Sequence, residues 1–169
     1  MNCKIKLLCE SPEAYPEIRV ERQNPYYARL LFAAYAGQES ELAAILTYSH
    51  GALVSRGKCP KELYETLECI SAVEMRHMEM LGKLIVLLGG DARYILPNGR
   101  ASINTAALPY ACAPERIIRN SIAGEEGAIR LYRELIRSIN DECVRAVLRR
   151  IILDEEQHIK IFKEMAGPQ

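Results

Sequence analysis

Apolar residues recur at spacings of three and four along most of the chain, which is the pattern of amphipathic α-helices. Asn24 and Pro25 form a typical helix start, since Asn caps well and Pro suits the first helical position. No other regular pattern competes with this one, so the sequence predicts an all-α fold. Four helices are expected, over residues 25–54, 60–88, 114–138 and 141–166.

The lengths of the breaks between these helices predict the topology. Short breaks near residues 55–59 and at Asn140 would join two antiparallel helical hairpins. The connection over residues 90–113 is rich in turn formers and long enough to run the length of a helix of about 40 Å. An up-down-down-up four-helix bundle over residues 24–167 follows, with one long crossover and an N-terminal arm over residues 1–23.

Composition excludes several classes of protein. The 169 residues carry no net charge, so neither nucleic acid nor an anionic membrane is an expected partner. The start lacks the apolar core of a signal peptide, so a cytoplasmic location is expected. None of the six cysteines forms a C-x-x-C pair, and all are expected to be reduced thiols, with Cys69 and Cys143 as small core residues.

Two of the three histidines stand in the same motif. "EMRH" pairs Glu74 with His77, and "EEQH" pairs Glu155 with His158. Residues three apart lie about 60° apart around a helix, so each pair shares one face. A carboxylate oxygen and an imidazole nitrogen on one face can bind one metal ion.

Each motif has a glutamate at the same height on its hairpin partner. Residues equidistant from the turn of an antiparallel hairpin lie level with each other. Reflecting Glu74 through the first turn gives Glu41, and reflecting Glu155 through the second gives Glu125. The sequence therefore predicts that each Glu-x-x-His faces a further carboxylate.

Tyrosines complete a degenerate internal repeat. Tyr48 lies seven residues after Glu41, and Tyr132 lies seven residues after Glu125. Seven residues is about two helical turns, so each Tyr lies on the face of its Glu. They are interpreted either as hydrogen-bond donors to the carboxylates or as ordinary core tyrosines.

Joining the hairpins would bury four carboxylates and two imidazoles together. Such carboxylates cannot stay ionised without compensating positive charge, and two divalent cations would supply it. The sequence thus predicts a dinuclear metal site. His50 and Arg150 are interpreted as surface residues away from this site. The predicted ligands are Glu41, Glu74, His77, Glu125, Glu155 and His158.

The segments "SELAAILTY", "SIAGEEGAIRLY" and "ILDEEQH" resemble motifs of the ferritin-like superfamily over residues 24–166. Within it the chain is most like manganese catalases and the spore-coat proteins similar to them, and more distantly like rubrerythrins and bacterioferritins. The resemblance implies a ferritin-like bundle and the same metal ligands. For Glu155 it implies either a metal ligand, as in ferritins, or a catalytic acid/base, as in manganese catalases.

These observations predict a redox enzyme that binds two manganese or iron ions per chain and acts on hydrogen peroxide or dioxygen. Zinc would be able to replace either metal during purification. Two alternatives are an iron-oxidising or iron-binding protein and a structural coat component with a vestigial site. A homo-oligomer and an external electron donor are also expected, with spore association as an alternative to a purely cytoplasmic location.

Overall fold

The computed structural model describes residues 9–96 and 98–167. The first eight residues of the predicted arm, together with residues 97, 168 and 169, lie outside this description. A short 3-10 helix spans Thr105–Ala107 in the crossover. The α-helices are α1 (Pro25–Ala36), α2 (Glu41–Ser55), α3 (Lys61–Leu87), α4 (Pro114–Ser138) and α5 (Glu142–Ala166).

The helices form the expected all-α four-helix bundle. The most extensive contacts join α2 to α3 and α4 to α5, which are the two predicted hairpins. The crossover between α3 and α4 contains no α-helix among its described residues. Within the described ranges, no helix is both long and apolar enough to cross a membrane.

The first predicted helix, over residues 25–54, is divided in the structure into α1 and α2. A Cβ on Gly37 would lie 2.5 Å from the carbonyl oxygen of Ala33, so only glycine fits where the chain leaves α1. Ser40 then caps α2: its hydroxyl accepts from the Ala43 N–H at 3.4 Å and donates to the Gly37 carbonyl at 2.7 Å. As a result Glu41 is the first residue of α2, where the helix dipole favours a carboxylate.

The core consists of two apolar clusters separated by a polar layer along α3 and α5. On α3, Leu67 and Ile70 belong to one cluster, while Leu81 and Leu84 belong to the other. The stretch between them carries the first Glu-x-x-His motif. On α5 the second motif likewise lies between residues of the two clusters. The fold thereby places both motifs at the same depth in the bundle.

The described part of the N-terminal arm is attached to the bundle covalently. Cys9 and Cys69 form a disulfide, so the prediction that Cys69 is a reduced core thiol is wrong. Periodicity along α3 identified Cys69 as buried but gave no information on the path of the arm. Cys59, Cys112 and Cys143 are free thiols.

We predict that Asp141→Ala destabilises the metal-free protein by roughly 2 kcal/mol. Asp141, one residue after the predicted break at Asn140, caps α5, accepting from the Val144 N–H at 3.1 Å and from the Glu21 N–H of the arm at 2.8 Å. Its loss should lower the melting temperature by about 4–8 °C in a chain of this size.

The matched control is Asn24→Ala, which removes a helix cap without an arm contact. Thermal unfolding followed by circular dichroism measures both variants. An equal loss in the two variants would show that the arm's bond to Asp141 contributes nothing.

Candidate metal centre

The bundle brings all six sequence-predicted ligand residues together in the polar layer. None of these side chains is more than 4 % exposed. Their potential ligand atoms fall into two sets, in each of which all the atoms lie within 4.8 Å of one another. The sets are Glu41, Glu74, His77 and Glu155, and Glu74, Glu125, Glu155 and His158.

The first set is arranged around Nδ1 of His77. This nitrogen lies 3.0 Å from Oε2 of Glu74, 3.3 Å from Oε1 of Glu155 and 3.7 Å from Oε2 of Glu41. Glu41, on α2, thus lies beside the Glu-x-x-His motif of α3, the other helix of the same hairpin, as reflection through the turn predicts.

The second set repeats this arrangement around Nδ1 of His158. This nitrogen lies 3.1 Å from Oε2 of Glu155, 3.2 Å from Oε1 of Glu74 and 3.4 Å from Oε1 of Glu125. Glu74 and Glu155 therefore offer one oxygen to each histidine. Two cations placed in the two sets would share these two carboxylates.

The two tyrosines connect the hairpins. The Tyr48 hydroxyl, on α2, donates to Oε1 of Glu125 on α4, and the Tyr132 hydroxyl, on α4, donates to Oε1 of Glu41 on α2. Both rings are buried. Each Tyr therefore contacts the glutamate of the opposite hairpin, although its seven-residue spacing relates it to the glutamate on its own helix.

Asp154 belongs to the site and was missed by the sequence analysis. Its Oδ2 lies 2.9 Å from Nε2 of His77 and accepts from the Tyr15 hydroxyl at 2.6 Å. Its Oδ1 lies 2.7 Å from Nη1 of Arg150. The spacing of four between Arg150 and Asp154 on one helix was a usable signal, because such pairs face each other.

The interpretation of Arg150 as a solvated residue is wrong, since its side chain is buried. Its guanidinium donates to the Glu13 and Ser11 carbonyls of the arm at 2.8 and 2.9 Å. His50, in contrast, lies outside both sets and its ring meets that of Tyr110 edge-on.

Electrostatics show how the group of charges is tolerated without metal. Burial and neighbouring carboxylates raise the pKa of Glu41 well above its usual value and raise that of Glu125 to about 8. Burial alone would lower the pKa of His77 and of His158, but the surrounding carboxylates raise both. Burial opposes ionisation of Glu74 as well, yet the two imidazolium charges hold its pKa below its usual range. Protons therefore neutralise the site.

The donor set fits two divalent cations. Oε1 of Glu74 and Oε1 of Glu155 are buried; each lies near a histidine Nδ1, at 3.2 and 3.3 Å, but neither makes a hydrogen bond of good geometry among the described residues. Carboxylate oxygens with one imidazole nitrogen per set suit manganese and iron, whereas no thiolate that would select a soft metal is present in either set.

A cavity of about 430 Å³ leads to the site between α2 and α4. Its inner wall includes Glu41, Glu125 and both tyrosines, and the crossover contributes Leu108. Exposed residues such as Glu39 line its outer part. The carboxylates are therefore accessible to small molecules from solution.

Comparison with known proteins agrees with this geometry. The profile of the ferritin-like domain matches residues 37–167. The chain belongs to the ferritin-like domain family. This ferritin-like chain is 27 % identical over 168 residues to a probable manganese catalase of Clostridium acetobutylicum, covering 88 % of the chain and 73 % of the relative. It is 28 % identical over 170 residues to the protein CotJC of Bacillus subtilis, covering 89 % of the chain and 87 % of the relative.

Solved structures give the same result. The manganese catalase KatB from Anabaena superposes with a TM-score of 0.79 at 25 % identity, covering 92 % of this ferritin-like chain and 78 % of its own. Mycobacterium tuberculosis bacterioferritin BfrA superposes with a TM-score of 0.71 at 26 % identity, covering 85 % of each chain. The resemblance stated from the sequence motifs is confirmed.

We predict that the metal-free protein loses stability as the pH rises from 4.5 to 8. Glu125 has a pKa of about 8 in the folded chain against 4.5 ordinarily, so the native state holds more protons than the unfolded state in this range. The free energy of unfolding then falls with rising pH. The raised pKa values of Glu41, His77 and His158 act in the same direction, whereas the lowered pKa of Asp154, about 2, matters only in acid.

Bound metal would replace these protons, so the increase in melting temperature on adding Mn(II) should grow from pH 5 to pH 8. Thermal unfolding with Mn(II) or with chelator measures it, and Glu125→Gln should show a flatter dependence. A metal-free melting temperature that rises through this range would contradict the assignment of protons to the site.

Proposed function

We propose that this chain is a dinuclear manganese or iron carboxylate protein that acts as a redox enzyme on hydrogen peroxide or dioxygen. The observation that carries the proposal is that Glu74 and Glu155 each belong to both ligand sets. Shared carboxylates are what two neighbouring cations need, because they hold the ions a few ångströms apart and offset their repulsion.

Each cation would have one imidazole and one carboxylate of its own. His77 and Glu41 would serve one ion, and His158 and Glu125 would serve the other. A bound pair of redox-active ions would supply a two-electron change. The protein's own contribution is to orient the ligands, admit the substrate and move protons.

Proton transfer is proposed for Glu155, which combines contact with both histidines and a place on the wall of the cavity. In this role one oxygen of Glu155 would stay free of metal, with Glu74 as the shared ligand, and would take a proton from peroxide and return it to the departing oxygen. The hydroxyls of Tyr48 and Tyr132 hold Glu125 and Glu41 in place, so these carboxylates keep their orientation when substrate enters.

Oxidation or binding of iron is the second candidate function. It is favoured by the inclusion of Glu155 in both sets, because the resemblance to ferritins implies a metal ligand at this position. The similarity to a bacterioferritin structure supports the same function. In that case Fe(II) is the substrate as well as the occupant of the site.

We expect close to two manganese or iron ions per chain in protein expressed with both metals supplied. Inductively coupled plasma mass spectrometry measures the content. Glu74→Ala/His77→Ala should lose most of the metal, because it removes one carboxylate shared by both sets and one imidazole. His50→Ala, which changes the histidine outside the site, should retain it.

Absence of metal from wild type and double variant alike would remove both metal-dependent functions. The structural coat-type interpretation would then stand, with the carboxylates neutralised by protons alone.

We expect the manganese-loaded protein to evolve dioxygen from hydrogen peroxide faster than an equal amount of free Mn(II), measured with an oxygen electrode. Glu155→Gln should lower kcat about 10²–10⁴-fold, the usual contribution of a positioned acid/base. Metal analysis of the variant separates a lost proton carrier from a lost ligand.

Aerobic loading with Fe(II) distinguishes the second candidate. Retention of more than two irons per chain, without turnover of peroxide, would favour iron handling. Homo-oligomerisation, the electron donor and the cellular location stay predictions from the sequence.

A further inference from the structure

The two histidines differ on the side that faces away from the carboxylates. Nε2 of His77 lies 2.9 Å from Oδ2 of Asp154. Nε2 of His158 is buried and has no hydrogen-bond partner in the part of the chain that the structure describes. The ligand sets are thus alike around Nδ1 but unlike around Nε2.

Asp154 is itself fixed from several directions. Its Oδ1 accepts from the Ser11 N–H at 2.7 Å and pairs with Arg150, while its Oδ2 accepts from the Tyr15 hydroxyl. The Arg150 guanidinium lies 4.0 Å from the centroid of the Tyr15 ring. The arm thereby holds the carboxylate that contacts His77.

The internal repeat explains why His158 lacks such a contact. Aligning the two Glu-x-x-His motifs pairs Asp154, which precedes Glu155, with Val73, which precedes Glu74. Val73 is fully buried and belongs to an apolar cluster. Its side chain has no hydrogen-bond acceptor to offer an imidazole N–H.

We propose that the two metal positions are unequal and that Asp154, acting as a positioning residue, makes the position at His77 the tighter one. This inference rests on the dinuclear site proposed above. A carboxylate that accepts from the second nitrogen of a ligating histidine fixes its tautomer and ring orientation and raises its basicity, and losing it typically weakens metal binding 10–100-fold. His158 has no such support, so its ion exchanges more readily.

Variants in which one of the two site histidines is replaced test each metal position separately. His158→Ala leaves the position at His77, and His77→Ala leaves the position at His158. Each is titrated anaerobically with Mn(II), and free Mn(II) is followed by its electron paramagnetic resonance signal. We expect the ion retained by His158→Ala to bind at least tenfold more tightly than the ion retained by His77→Ala.

Asp154→Asn is then introduced into both backgrounds. It should weaken binding about 10–100-fold with His158→Ala and less than twofold with His77→Ala. Tyr15→Phe, which removes one bond to Asp154 and leaves the carboxylate in place, should produce a smaller effect with the same selectivity. Tyr64→Phe is the matched control, since Tyr64 also carries an arginine over its ring but lies outside the site.

Val73→Asp in the His77→Ala background supplies the reciprocal test. An acceptor at this position should tighten binding at His158, whereas Val73→Ala should not. Selective weakening by Asp154→Asn supports the proposal even where Val73→Asp fails to fold.

Equal affinities in the two single-histidine variants, or equal weakening by Asp154→Asn in both backgrounds, would overturn the inference and leave the dinuclear site intact. Wild-type protein that binds fewer than two Mn(II) ions at saturation would instead overturn the proposed function itself.

Discussion

Burial of four carboxylates around two imidazoles is the constraint on which the rest of this structure depends. An isolated ionised carboxylate in a protein interior costs more than a marginally stable fold supplies. The chain meets this constraint by bringing the four glutamates and two histidines into one layer, so that each histidine lies beside three glutamates. Protons or metal ions complete the neutralisation. The hydroxyls of Tyr48 and Tyr132 also donate hydrogen bonds to Glu125 and Glu41, the two glutamates that each lie near one histidine alone.

The surrounding architecture follows from that layer. Apolar clusters on either side of the motifs along α3 and α5 keep the interactions strong by keeping the local dielectric low. The break before α2 places Glu41 at a helix start, where unpaired N–H groups favour a carboxylate. The cavity opens from this layer at the face between α2 and α4. The cavity therefore connects solvent with the polar layer of carboxylates and imidazoles.

Much of this was predictable from the sequence because helices and short hairpins are regular. The spacing of three between Glu74 and His77, and reflection through a short turn, depend only on helical geometry and gave all six buried residues. The pairing of each Tyr with the opposite hairpin, in contrast, depends on how the hairpins approach each other. The disulfide of Cys9 and the contacts of Asp154 depend on the path of an irregular arm, which periodicity does not describe.

The wall of the cavity bears on which chemistry the site serves. Much of it consists of small or apolar side chains, among them Ala34, Ala44, Ala123 and Leu131. Carboxylates line it as well, with exposed Glu39 at its outer part and the buried glutamates of the ligand sets at its inner end, so a divalent cation would find ligands along the path. The apolar part of the wall suits a small neutral oxidant, and the acidic part suits a metal ion. One path therefore serves both proposed functions, because delivery of metal to the ligand sets and access of a small oxidant to bound metal use the same opening between α2 and α4.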